Sequence, residues 1–414
     1  MNIARDYLDT LRRFSPGARL YLVASILQGI GFGIFQLFFN FYVLSLGYRR
    51  DFLGLLISLP SITTLGVALF TGYVSDRIGR KRAFIGSRLV AALAQGLMLV
   101  WPVPTGLILS GLLQGLGESL FRATASAFLM EESGERERTH LFSFSAGLRT
   151  LSAFLGNALG GYLPTLFALY LGFDPTSSRA YAWVLGVAML LSLASVLPFS
   201  RLEMREVAAA LPPLEPFRLL WRRREALGKL LIPQLITSLG AGMLVPFLNV
   251  FFRDRYALPD HVIGVLFGVG ALGMGFATFL APPMTRRWGK VQTLVLSRAL
   301  ALLPLVVLGY VHHLRLAMAA FLLRMALMNL ALPIYQMLVV EAADESTRGM
   351  ASSLYNLVWH AGRAISPSIS GRIQESYGFD PIFAVAIGSY GMGVLLLYGW
   401  LVRPMRRRAA GKGG

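Results

Sequence analysis

The sequence predicts an all-α polytopic membrane protein, with twelve transmembrane helices in two pseudo-symmetric six-helix bundles and both termini cytoplasmic. Composition, the spacing of apolar runs and an internal repeat carry this expectation. Of 414 residues, 55% are hydrophobic and 14% charged. Ordinary soluble proteins carry roughly 25% charged residues, and a soluble domain this poor in charge could not cover its own surface. The mean hydropathy of +0.60 agrees, and it excludes disorder, collagen and coiled coil.

A spanning helix needs about 20 mostly apolar residues, and such runs follow one another along the chain. The first, 20–48, is uncharged and places Gln28, Gln36 and Asn40 at intervals of eight and four, as expected for a shared face lining a cavity. The second, 52–75, is also uncharged; the third, 83–101, carries Arg88, the fourth, 105–130, carries Glu118 and Arg122, and the fifth, 140–170, carries Arg149. An uncharged sixth run, 180–200, precedes the longest polar stretch, 201–229, with its prolines at 212, 213 and 216 and the run Arg222-Arg223-Arg224. This reads as a cytoplasmic linker. Runs seven (230–252) and eight (262–285) are uncharged, nine (291–311) carries Arg298, ten (315–341) Arg324, and eleven (349–374) His360 and Arg363. The twelfth, 381–402, is uncharged and leads to a basic tail, 403–414. The expected domains are therefore an N-terminal bundle over 1–200, the linker, a C-terminal bundle over 230–402 and the tail.

The formal net charge is +18. Lysines and arginines gather in alternate gaps between the runs, the distribution of the positive-inside rule, so the charge points to orientation in a bilayer and away from nucleic acid. The segment 1–14 contains acids and lacks a small-residue cleavage site, so it reads as a cytoplasmic lead-in and not a signal peptide. There are no cysteines, which removes disulfides, thiol catalysis and cysteine-ligated metals; no metal site or cofactor is expected.

The two halves superpose at a shift of 210 residues: Gly54 falls on Gly264, Gly79 on Gly289, Ser87-Arg88 on Ser297-Arg298, Glu131 on Glu341 and Arg138 on Arg348. Farther on, Gly172-Phe173-Asp174-Pro175 recurs as Gly378-Phe379-Asp380-Pro381 at a shift of 206, a difference of about one helical turn.

Between runs two and three lies Gly72-Tyr73-Val74-Ser75-Asp76-Arg77-Ile78-Gly79-Arg80-Lys81. Gly72 permits close helix approach, Gly79 permits a tight turn, Asp76 can accept from the open N–H groups of a helix N-terminus, and Arg80 and Lys81 hold the loop in the cytosol. This segment resembles the G-x-x-x-D-R-x-G-R-K loop of the major facilitator superfamily (MFS), complete at every defined position. The second half has a degenerate copy, with Arg286 where the acid should stand. The resemblance implies the MFS fold. It further implies that Asp76 docks at the N-terminus of the eleventh helix, that Arg80 pairs with Glu131, and that this cluster (Gly72, Asp76, Arg77, Gly79, Arg80, Lys81, Glu131) latches the cytoplasmic side in the outward-open state.

Ionisable groups inside a membrane are costly and mark function by default. Arg88 and Arg298 lie about two turns from helix ends, where arginine can snorkel to the interface, so they read as braces. Glu118 is the carboxylate nearest a span centre. Burial and the neighbours Arg122 and Arg149 pull its protonation in opposite senses, which suits a proton-coupling group; a permanent ion pair that fixes packing is the alternative. Gly111 stands where proton-coupled branches of the superfamily carry an arginine on the fourth helix. Arg324, His360 and Arg363 have no embedded acid within a turn on their own helices, which makes them candidate substrate contacts. In the fifth helix, Gly156-Asn157-Ala158-Leu159-Gly160-Gly161 resembles the G-P-x-x-G-G signature of exporters in this superfamily, and Ser366-Pro367-Ser368-Ile369-Ser370-Gly371 is its counterpart.

The expected function is secondary transport of a small molecule by alternating access, coupled to protons in the export direction. The protein is expected to be a monomer in the cell's inner (plasma) membrane, with no enzyme activity. Two alternatives stay open: an importer or flippase for an anionic compound or acidic lipid, suggested by the excess of embedded arginine, and a non-transporting sensor on the same scaffold.

Overall fold

The computed structural model describes residues 14–133, 138–203, 224–343 and 348–404. The lead-in, the body of the predicted linker, the side chains of Arg138 and Arg348 and most of the basic tail lie outside the described residues. Among the described residues there are twelve helical rods and no strand. They are α1 (Pro16–Ser45), α2 (Arg50–Ile78), α3 (Arg80–Val100), α4 (Pro104–Glu131), α5 (Arg138–Gly160, continuing as Leu163–Leu171) and α6 (Ser178–Ala194, continuing as Val196–Ser200). The second series is α7 (Arg224–Leu244, a 3-10 turn Val245–Phe247, then Leu248–Tyr256), α8 (Asp260–Trp288), α9 (Lys290–Leu300 and Leu302–Tyr310), α10 (Leu314–Glu341), α11 (Arg348–Tyr377) and α12 (Asp380–Leu397, ending in a π turn Tyr398–Val402). Ten rods are long and apolar enough to cross a membrane; α4 and α11, the helices richest in embedded charged and polar residues, have the length without that apolarity.

Local chemistry sets the boundaries. Ser15 caps α1 by accepting from the Ala18 N–H at 3.0 Å, with Pro16 in the first turn. Gly79 separates α2 from α3 at φ +85°, and its repeat mate Gly289 separates α8 from α9 at φ +84°. A side chain at either position would be strained.

The helices pack as two compact units. The first holds α1, α3–α6, α2 from Ile62 onward and the opening of α8, Pro259–Gly268; the second holds α7, α9–α12, the opening of α2, Tyr48–Ser61, and α8 from Val269. An aromatic cluster centres the first, where Phe84 and Phe199 stack at 4.4 Å beside Tyr21 and Phe128. Leu294, Ile334, Tyr335 and Leu397 centre the second. Phe70, Leu169, Phe276, Phe279 and Leu395 point outward and are more than half exposed, which suits lipid as the solvent.

Lipid tails supply little driving force for helix association, so close backbone packing has to replace it. A Cβ on Gly156 would lie 2.2 Å from the Ile30 carbonyl oxygen, so α5 and α1 touch backbone to backbone. The repeat recurs in such crossings. In the second unit a Cβ on Gly54 would meet the Pro367 carbonyl oxygen at 2.2 Å, and in the first a Cβ on Gly264 would meet that of Asn157 at 2.5 Å. Gly264 and Pro367 are the 210-residue mates of Gly54 and Asn157.

Gly156→Ala should therefore destabilise the protein by about 1–3 kcal/mol through overpacking. Gly86→Ala, where a Cβ meets nothing within 4 Å, should be neutral or slightly stabilising because alanine is the better helix former. Thermal unfolding of the purified variants in detergent compares the two; equal melting temperatures would contradict the tight crossing.

Candidate functional site

Arg88 of α3 organises the polar interior of the first unit. Only 7% of it is exposed. Gln28 of α1, with its amide oxygen turned to the guanidinium, accepts from Nε and Nη1, each at 3.2 Å. Arg88 Nε also lies 3.4 Å from Ser87 Oγ, and the guanidinium sits 4.2 Å from the ring centre of Phe121 in α4. The expected snorkelling is thus corrected. A guanidinium turned inward keeps its charge when an amide oxygen and a desolvated π face replace water, and α1 and α4 provide both.

Glu118 accepts from Arg122 Nε at 2.7 Å, an i,i+4 pair within α4. The positive charges acting on it are those of Arg122, Arg88 and Arg149. Arg122 and Arg149 are exposed, whereas Glu118 is half-buried. Gln28, Arg88, Gln95, Gln114 and Glu118 line a single, partly open cavity.

The structure thus joins Gln28 and Glu118, expected in separate roles, and adds Arg88, Gln95 and Gln114. Helical spacing carried a signal for the additions: Gln95 follows Arg88 by seven residues and Gln114 precedes Glu118 by four, so each pair shares a face. Of Gln28, Gln36 and Asn40, expected on a shared face, Gln28 alone lines this cavity. Gln36 is exposed and Asn40 is buried, and neither lines the cavity.

The second unit holds its arginine in the same way. Arg298, 3% exposed, donates from Nη2 to Gln234 Oε1 at 2.9 Å and from Nη1 to Thr237 Oγ1 at 3.4 Å, and lies 4.4 Å from the ring centre of Tyr335. Met328 stands at the repeat mate of Glu118, so the acid belongs to one half only. Arg324 is buried and donates to the Tyr390 hydroxyl at 2.9 Å, a partner on α12 that no reading of α10 alone could supply. His360 Nδ1 lies 3.5 Å from Ser61 Oγ, and Arg363 is half-buried on α11.

In the loop after α2, Arg80 forms an ion pair with Asp76 and donates to Glu131 Oε1 from Nε at 3.0 Å and from Nη2 at 2.8 Å. Its Nη1 also donates to Ser75 Oγ at 3.0 Å. Arg77 is exposed and Lys81 half-buried. Gly72 is no close-approach glycine in this structure: among the described residues a Cβ there would meet nothing within 4 Å. At the repeat position, Lys290 pairs with Glu341 at 2.5 Å.

The sequence matches the Major Facilitator Superfamily over residues 21–367 and again over 230–414. The chain belongs to this superfamily. It is accordingly a multi-pass membrane transporter of a small molecule, with the all-helical MFS fold, and not an enzyme. It is 27% identical over 404 residues to multidrug resistance protein MdtG of Salmonella choleraesuis (strain SC-B67), covering 92% of this chain and 93% of that protein. The fold is similar to that of the nucleoside transporter NupG (TM-score 0.71, 13% identity, 93% of this chain and 98% of that one). It is also similar to the human organic anion transporter MFSD10 (TM-score 0.66, 16% identity, 92% and 99%).

The two loop pairs differ in burial, with 11% of the Arg80 side chain exposed against 42% of Lys290. Double-mutant cycles should give a coupling of about 1 kcal/mol for Arg80–Glu131 and under about 0.5 kcal/mol for Lys290–Glu341. Equal couplings from equilibrium unfolding in mixed micelles would contradict a special role for the first loop.

Proposed function

We propose that this transporter is a proton-coupled exporter of a drug-like small molecule and that Glu118 carries the proton. The observation that supports this reading is the cavity of the first unit. Glu118 is the one acid among its lining residues, and it faces Arg122 on its own helix, Arg88 from α3 and Arg149 from α5. Protonation removes the single negative charge from this group and leaves Arg88, the buried one of the three cations, uncompensated. That imbalance is costly in a low-dielectric interior, so the protonated and deprotonated forms favour different degrees of water access. Alternating access can draw on this difference. The similarity to MdtG supports the export direction. All twelve rods span the membrane in this reading, α4 and α11 lining the aqueous path where their polar residues find water. The two six-helix bundles, both termini in the cytoplasm, residence in the cell's inner membrane and a monomeric state belong to the same proposal. An anion carrier built on Arg324 and Arg363 has less support, because Arg324 is already held by Tyr390.

Glu118→Gln should abolish pH-gradient-driven movement of ethidium in proteoliposomes while leaving counterflow partly intact, since exchange needs only the loaded carrier to reorient. Gradient-driven transport that survives in the variant would place the proton elsewhere.

In this proposal the Asp76–Arg80–Glu131 cluster is the conformational latch. Asp76→Asn should shift the outward-open population by roughly 2- to 30-fold, corresponding to a contact of about 0.3–2 kcal/mol, with little change in ligand affinity. Labelling of single cysteines placed near the loop reads the shift, and the native chain has no cysteine to interfere. Unchanged labelling with a large loss of affinity would sink the latch.

A further inference from the structure

We infer that the cavity around Arg88 is the cargo subsite and that it takes a neutral, aromatic carboxamide-type group, one that offers a carbonyl oxygen and N–H donors on the same edge. The inference deepens the exporter reading, on which it rests only in taking the ligand to be the transported molecule.

Hydrogen-bonding capacity defines the ligand class. Arg88 has five N–H donors in a rigid fork, and Gln28 occupies the Nε–Nη1 edge. Its Nη2 is buried and has no partner. Across the same cavity, Gln95 Oε1 and Gln114 Oε1 are buried acceptors that also have no partner. Gln95 as a whole is only 7% exposed. Buried polar atoms are nearly always satisfied, and those that are not call for an account. One donor and two acceptors among the residues lining one cavity complement a group with one strong acceptor and at least one N–H. A carboxamide has both.

Charge narrows the class further. A carboxylate would satisfy Arg88 but set its second oxygen against the two amide oxygens and Glu118. An amidinium would suit the amide oxygens but meet Arg88, which the glutamines do not neutralise. A neutral amide meets neither penalty. Phe32 and Phe35 of α1 line the same space, which suits an aromatic ring beside the amide. In the second unit Arg298 also keeps one buried nitrogen, Nε, without a partner; what that half lacks is the acid, since Met328 stands at the position of Glu118.

The test uses the full-length protein in nanodiscs and three probes of nearly equal shape: benzamide (neutral), benzoate (anionic) and benzamidine (cationic). Isothermal titration with each probe should give saturable binding of benzamide at least tenfold tighter than of the other two. Gln95→Leu and Gln114→Leu should each weaken benzamide by about 2- to 12-fold, the loss of one neutral hydrogen bond, and should leave benzoate no weaker, because a carboxylate gains nothing from an amide oxygen. Arg88→Lys should weaken it by about 10-fold or more, since the charge remains without the planar fork. Should that variant fail to fold, as its unliganded melting temperature would reveal, the two glutamine variants decide alone. A preference for benzoate or benzamidine, no saturable benzamide binding, or glutamine variants that affect all three probes equally would overturn the inference. Gradient-driven transport in Glu118→Gln is scored separately: its survival overturns proton coupling at Glu118 and leaves the amide preference standing, and the converse holds for the probe ranking.

Discussion

A guanidinium buried among transmembrane helices cannot readily shed its proton and needs polar or π-rich partners, and the interior of this transporter is arranged around that constraint. Arg88 and Arg298 meet it in the same way, with a glutamine from the first helix of the unit and an aromatic face from the fourth. Each arginine thereby ties three helices together at a point where the hydrophobic effect contributes little to association. The small-residue crossings follow the same logic, because dispersion and hydrogen bonding are the forces that remain when the solvent is lipid.

The two units share this arrangement but differ in what they add to it. The first adds Glu118 and leaves part of Arg88 and two glutamine oxygens unengaged around a cavity. The second has Met328 in place of the acid, and its other buried arginine, Arg324, is engaged by Tyr390. The loop ion pairs diverge likewise. Arg80 reaches Ser75, Asp76 and Glu131 together, whereas Lys290 has Glu341 and an arginine at the position of Asp76.

Much of this could be read from the chain alone. Twelve runs long enough to cross a bilayer, the repeat that sets Gly54 against Gly264 and Arg88 against Arg298, and the loop from Gly72 to Lys81 determined the helical architecture and the superfamily, because in lipid the backbone must satisfy its own hydrogen bonds and helices are the simple solution. The turn at Gly79, the proximity of Arg122 to Glu118 and the proximity of Asp76 to Arg80 are also local, being set by i,i+4 spacing or by one backbone angle.

What the tertiary structure decided is which polar groups meet across helices. Depth along a run suggested that Arg88 would reach for the interface, and a spacing of eight and four suggested that Gln28, Gln36 and Asn40 would act together. Arg88 instead turns inward and of the three only Gln28 lines the cavity of the first unit, because what a side chain faces depends on which neighbour its helix packs against. Tyr390 is 66 residues from Arg324, Gln28 lies on a different helix from Arg88, and Phe121 on a third. Periodicity within one helix contains no information about such partners. They are selected when the helices pack, by the requirement that every charge removed from water find another polar or π-rich surface.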